Sequence, residues 1–139
     1  MKNKILKIIT GVIFLILLFV ILAIVFSPEE KKENIPNYTI ISEENKSYSN
    51  VIRYVIKVRT SSNITHEEVK EIAKNITNYM KSKTKFNALS ILLYSYEDNI
   101  SLSPSIAIID YAPYGDWSRA DEVETGDYSK FEYNITYME

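Results

Sequence analysis

The first feature of the chain is a stretch with no polar period at all. Residues 8–26 read "IITGVIFLILLFVILAIVF", 19 residues without a charge. A helix of that length rises about 28 Å, close to the roughly 30 Å hydrocarbon core of a bilayer. A cleavable signal peptide would have an apolar stretch of about 7–15 residues ending in small residues. Here the exit is "AIVFSPEE", with no small-x-small site and no cysteine to take a lipid. The span reads as an uncleaved transmembrane helix. Lys2, Lys4 and Lys7 precede it, and positive charge stays on the cytoplasmic side. The reading is a cytoplasmic tail at 1–7, a membrane helix at 8–26, a polar stalk at 27–37 bounded by Pro28 and Pro36, and an extracytoplasmic domain at 38–139.

Within that domain the period is first two. Residues 38–44 and 51–59 are strand candidates separated by "NKSYSN", and they are expected to pair as a hairpin. In the second of them Ile52, Tyr54, Ile56 and Val58 share one face, and Arg53, Val55, Lys57 and Arg59 the other. The period then becomes helical. "THEEVKEIAKNITNYMKSK" opens with Thr65 and Glu68 at capping-box spacing, and it places Val69, Ile72, Ala73, Ile76 and Met80 on one stripe. Acids in its first turn and lysines in its last suit the helix dipole. Two apolar runs, 87–98 and 105–112, read as central strands. A last strand at 128–138 alternates Phe131, Tyr133, Ile135 and Tyr137 against Lys130, Glu132, Asn134 and Thr136. The expected fold class is α+β: about five strands in an antiparallel or mixed sheet, with one amphipathic helix packed on it.

Composition narrows the chemistry. There is no cysteine, so no disulfide, thiol nucleophile or zinc–thiolate site exists. Residues 27–85 hold 11 Lys and Arg against 8 Asp and Glu, whereas residues 86–139 hold only Arg119 and Lys130 against ten acids. That sign opposes a nucleic-acid partner. Six Asn-x-Ser/Thr sequons begin at Asn37, Asn45, Asn63, Asn75, Asn99 and Asn134, and are candidate glycosylation sites for an exported domain.

The densest chemistry lies in "DYAPYGDWSRADEVETGDYSK", residues 110–130, which contains the only tryptophan and both glycines of the outer domain. Pro113 fixes φ at a corner, and Gly115 suits position i+2 of a type II turn. Trp117 is expected to fold back over the sheet edge. Two readings of the segment follow. In one it is a shallow site, with Tyr114 and Trp117 as stacking faces, Asp110 and Asp116 as acceptors and Arg119 as donor, suited to a sugar or a cation. In the other it is a structural corner plugged by Trp117. Asp110, Asp116, Asp121, Glu122 and Asp127 offer oxygen ligands, but no calcium-loop spacing appears, and no metal or cofactor is assigned. His66, the sole histidine, falls at the start of the helix with no nucleophile motif to serve.

The run Ala112, Pro113, Gly115, Trp117, Ala120, followed by Thr125–Tyr128, resembles a family of small exported or membrane-anchored proteins of bacteria and archaea. The resemblance covers roughly residues 38–138. It implies an independent exported domain in which this segment matters, and it implies no particular reaction. The functional expectation is a binding or assembly module at the cell surface, held by residues 8–26, with an envelope protein or glycan as partner. The alternative is an enzyme acting on an envelope polymer through carboxylates of residues 110–122.

Overall fold

The computed structural model describes residues 36–138, together with Ile16. The cytoplasmic tail, the apolar span and the stalk as far as residue 35 therefore lie outside the described residues, Ile16 apart. No helix among the described residues is long and apolar enough to cross a membrane.

Five strands form one sheet whose spatial order repeats the chain order: β1 (Tyr38–Asn45), β2 (Arg53–Thr60), β3 (Ala88–Ser95), β4 (Ala107–Pro113) and β5 (Phe131–Tyr137). β1 and β2 pair antiparallel, as do β3 with β4 and β4 with β5. β2 and β3 run parallel. A parallel step needs a crossover, and helix α1 (His66–Lys83) is that crossover. The sheet is thus mixed, and residues 36–138 form an α+β domain with one α-helix.

Sequence explains why α1 starts where it does. The Glu68 backbone N–H donates to Thr65 Oγ1 at 3.2 Å, and the Thr65 N–H donates to Glu68 Oε2 at 2.7 Å, completing the capping box. From there Val69, Ile72, Ala73, Ile76 and Met80 are buried as one stripe, joined by Thr77. They pack on Ile56 and Val58 of β2, Leu89, Ile91 and Leu93 of β3, and Ala107, Ile109 and Tyr111 of β4. Phe86, in the α1–β3 connection, completes this core, and its ring sits 5.1 Å from that of Tyr128. Burial of this kind contributes about 1.5–3 kcal/mol per large side chain and supplies most of the domain's stability. β3, in the middle of the sheet, is buried along nearly its whole length.

Two expectations about residues 110–117 need correcting. Positive φ begins one residue early: Tyr114 has φ 56° and Gly115 φ 70°. The Gly115 N–H donates to Ala112 O at 3.0 Å and the Asp116 N–H to Pro113 O at 3.0 Å, so two turns overlap. Tyr114 holds position i+2 of the first turn and Gly115 position i+2 of the second, as expected, but with positive φ at both central residues that second turn is of type I′ rather than type II. Trp117 does not lie over a sheet edge either. It packs on Val51, Ala88, Ala112 and Ala120, above the ends of the inner strands β3 and β4.

Ile91, wholly buried at the centre of β3, tests the core directly. Ile91→Ala is expected to destabilise the domain by about 2–5 kcal/mol in denaturant titration. A loss below about 1 kcal/mol would show that α1 does not seal this face.

Candidate functional site

One helix covers one face of the sheet. The other face carries Arg53, Val55, Lys57 and Arg59 from β2, then Ser90, Leu92 and Tyr94 from β3, and Ile108 and Asp110 from β4, because strand side chains alternate. Among the described residues it is covered only at its two ends. At one end a 3₁₀ turn, Trp117–Glu122, lies across Ala88 and Ala112. At the other the 96–104 loop accepts three bonds from the sheet: Tyr94 Oη donates to Leu102 O at 3.1 Å, Lys57 Nζ to Ile100 O at 3.3 Å and Arg59 Nη2 to Asp98 O at 3.0 Å. Between the two covers lies a shallow saddle. Its floor is two cross-strand rows, Val55–Ser90–Asp110–Asn134 and Lys57–Leu92–Ile108–Thr136. Val55, Leu92, Ile108 and Asp110 are all half-buried there.

Asp110 is the chemically unusual member. Burial pushes its carboxyl above the ordinary carboxylate range; the Ser90 hydroxyl opposes the shift and the charge of Asp116 adds to it. Asp116 moves the other way. Its Oδ1 accepts from Ser118 N at 2.8 Å and Ser118 Oγ at 2.7 Å, which caps the 3₁₀ turn and holds the carboxyl below its usual range.

The remaining candidates engage one another. The Arg119 guanidinium stacks 3.9 Å from the centroid of Tyr114 and donates two bonds to Glu122, at 2.8 and 2.7 Å. Trp117 rests on alanines, and the guanidinium of Arg53 stands 5.5 Å from its centroid. The same guanidinium lies 5.2 Å from the ring of Tyr48, which is exposed. The stacking faces of Tyr114 and Trp117 are thus already met by this chain's own cations. Of the five candidates, Asp110 lies on the saddle floor, Trp117 in its rim, and Tyr114, Asp116 and Arg119 form the turn behind that rim.

Sequence reasoning missed Asn87. It is buried just before β3, and its Oδ1 accepts from Ile52 N at 2.9 Å and from Thr125 Oγ1 at 2.7 Å. Its Nδ2 donates to Val123 O at 2.9 Å. One side chain so ties the start of β2 to the 123–125 segment. A cavity of about 480 Å³ beside it is lined by Asn50, Asp121, Glu122 and Glu124, among others. Among the described residues no three His, Cys, Asp or Glu side chains are placed to hold a metal. His66 stacks on Tyr137 with ring centroids 3.7 Å apart.

The sequons differ in access. Asn37, Asn45, Asn63, Asn99 and Asn134 are exposed. Asn75 is half-buried in the middle of α1, where its Oδ1 accepts from the Tyr38 hydroxyl.

No family model, no curated protein and no solved structure matches the chain.

Asn87→Ala removes three bonds and leaves buried partners unpaired, so a loss of about 2–4 kcal/mol is expected in chemical denaturation. Asp110 tests the saddle by its pH dependence. Its folded-state pKa is raised, so its stabilising share is full at low pH. That share is lost as pH rises from the ordinary carboxyl value, ~3.9, through the raised one. Asp110→Asn should remove that slope and raise the melting temperature near neutral pH. An unchanged slope would mean the carboxyl is solvated.

Proposed function

We propose that the chain is a single-pass membrane protein whose outer domain binds an envelope component, a protein or a glycan, across the open saddle of its sheet. The charge-free span at 8–26 and the lysines before it support an anchor with the amino terminus in the cytoplasm. Five exposed sequons fit an exported domain. The likeness of residues 112–128 to small exported prokaryotic proteins belongs to the same reading.

The observation that carries it is the half-covered second face. Val55, Leu92 and Ile108 form an aliphatic strip between two loop covers, with Lys57 and Asp110 within it. Aliphatic floor with a few placed polar groups is the usual composition of a recognition surface. The turn residues Tyr114 and Arg119 lie behind its rim and engage one another.

One observation favours an enzyme as a second reading. Asp110 is half-buried on the open saddle floor with its carboxyl pushed up by burial, and the charge of Asp116 reaches it. Their roles would be proton donor and charged partner in cleavage of an envelope polymer.

Binding of isolated envelope polymer and co-purification of envelope proteins, both with the full chain in detergent, separate the two readings. For a binding module, Ile108→Glu weakens retention at least tenfold, about 1.4 kcal/mol, Lys130→Ala leaves it unchanged, and no polymer is consumed. Polymer turnover lost in both Asp110→Asn and Asp116→Asn would establish the enzyme instead.

A further inference from the structure

The two edges of the sheet are not equally defended. β1 carries a bulge between Ile40 and Ser42, and its Glu43 is tied to the helix, accepting from the Tyr79 hydroxyl at 2.8 Å and pairing with Lys83. Bulges and charges of this kind block a further strand. β5 has no bulge and no proline, and its only charge is Glu132.

The direction of its free backbone groups follows from two bonds. Tyr114 N donates to Lys130 O at 2.8 Å and Met138 N to Ile106 O at 3.0 Å, flanking a register that runs from Pro113↔Phe131 to Ala107↔Tyr137. Bonded and non-bonded pairs alternate along an antiparallel ladder, so the even-numbered residues of β5 bond back to β4. The N–H and C=O groups of Tyr133, Ile135 and Tyr137 point off the sheet, where no strand among the described residues meets them.

We propose that β5 pairs with β5 of a second copy, antiparallel about a twofold axis at Asn134, joining two sheets into one of ten strands. The sequence of β5 is self-complementary about that residue. On the helix side Tyr133 meets the second copy's Ile135, and Phe131 meets its Tyr137, pairings of aromatic and β-branched side chains that stabilise antiparallel ladders. On the saddle side Glu132 meets Thr136, and Asn134 meets Asn134, so of the five exposed sequons the one at Asn134 carries no glycan in this pair. No like charges oppose, whereas a twofold at Glu132 would set that carboxylate against itself. Both Tyr133 and Ile135 also line an apolar hollow of about 250 Å³ between β5 and α1, rimmed by Lys70 and Lys74. Side chains from the second copy's strand would close it. Those lysines lie 2.9 and 2.8 Å from Glu67 and Glu71, so two helices brought alongside do not accumulate uncompensated charge.

The absence of cysteine from the chain makes the test clean. In a non-bonded pair on the axis the two Cβ atoms lie about 4.5–5.5 Å apart, near disulfide range. Full chains carrying Asn134→Cys should cross-link in native membranes under mild oxidation, roughly tenfold or more faster than Asn99→Cys on the exposed loop, since pairing raises local concentration. Glu132→Cys and Thr136→Cys should each form no disulfide-linked dimer alone and cross-link when co-expressed. Tyr133→Pro removes an outward N–H, together with the ring that packs 4.6 Å from that of Tyr111 and lines the hollow. It should abolish the Asn134→Cys cross-link, and it should convert the wild-type chain from dimer to monomer in sedimentation in detergent, with Trp117 emission unchanged. A monomeric wild-type chain would overturn the proposal, as would cross-linking that is indifferent to position or persists with Tyr133→Pro.

Discussion

A five-stranded sheet with a single helix can be sealed by that helix on one face only. The rest of the domain follows from this constraint. The α1 stripe from Val69 to Met80 lies on alternate residues of β2, β3 and β4, and that face excludes water completely at Ile56, Ile91 and Ile109. The crossover that delivers α1 also forces β2 and β3 to run parallel, so the pairing at the sheet's centre and the sealing of one face have the same origin.

With no second α-helix among residues 36–138, the other face is managed by loops, and those loops reach only its ends. Tyr94 is buried under the 96–104 segment and the paired alanines Ala88 and Ala112 under the 3₁₀ turn. Small residues at 88, 112 and 120 let the turn approach the strands closely, and Trp117 fills what remains. A turn of six residues has little stability of its own. Asn87 fastens the segment that follows it, Asp116 caps it, and Arg119 with Glu122 clamps it. The middle of the face keeps its mixed character because nothing among the described residues covers it.

Much of this was legible in the sequence because it is governed by period. The alternation in β2 and β5, the capping box at Thr65 and Glu68, and the stripe on α1 are all local signals, and each element stands close to where its pattern puts it. Parallel pairing of β2 with β3 was not legible, since hydrophobic period carries no strand direction. Nor was Tyr114 at positive φ: a type II turn puts positive φ at the glycine alone, whereas here Tyr114 is held by its N–H bond to Lys130 O and by the Arg119 guanidinium on its ring. Asn87 gave no signal, because an asparagine before a strand resembles any turn residue until its three partners are seen together. The site residues were found as a group by composition, yet their separation into a saddle floor at Asp110 and a structural turn at 114–119 depends on contacts between distant segments.

The sole tryptophan reports on the cover of the second face in the intact chain. Acrylamide quenching and the emission maximum of Trp117, recorded for the full-length protein in detergent before and after unfolding, address it most directly. A ring held between alanines and the Arg53 guanidinium emits to the blue of the unfolded chain and is only partly quenched, shifting red in step with global unfolding. Red-shifted, freely quenched emission from the folded protein would contradict a 3₁₀ turn packed on the sheet, and with it the division of that face into two covers and an open saddle.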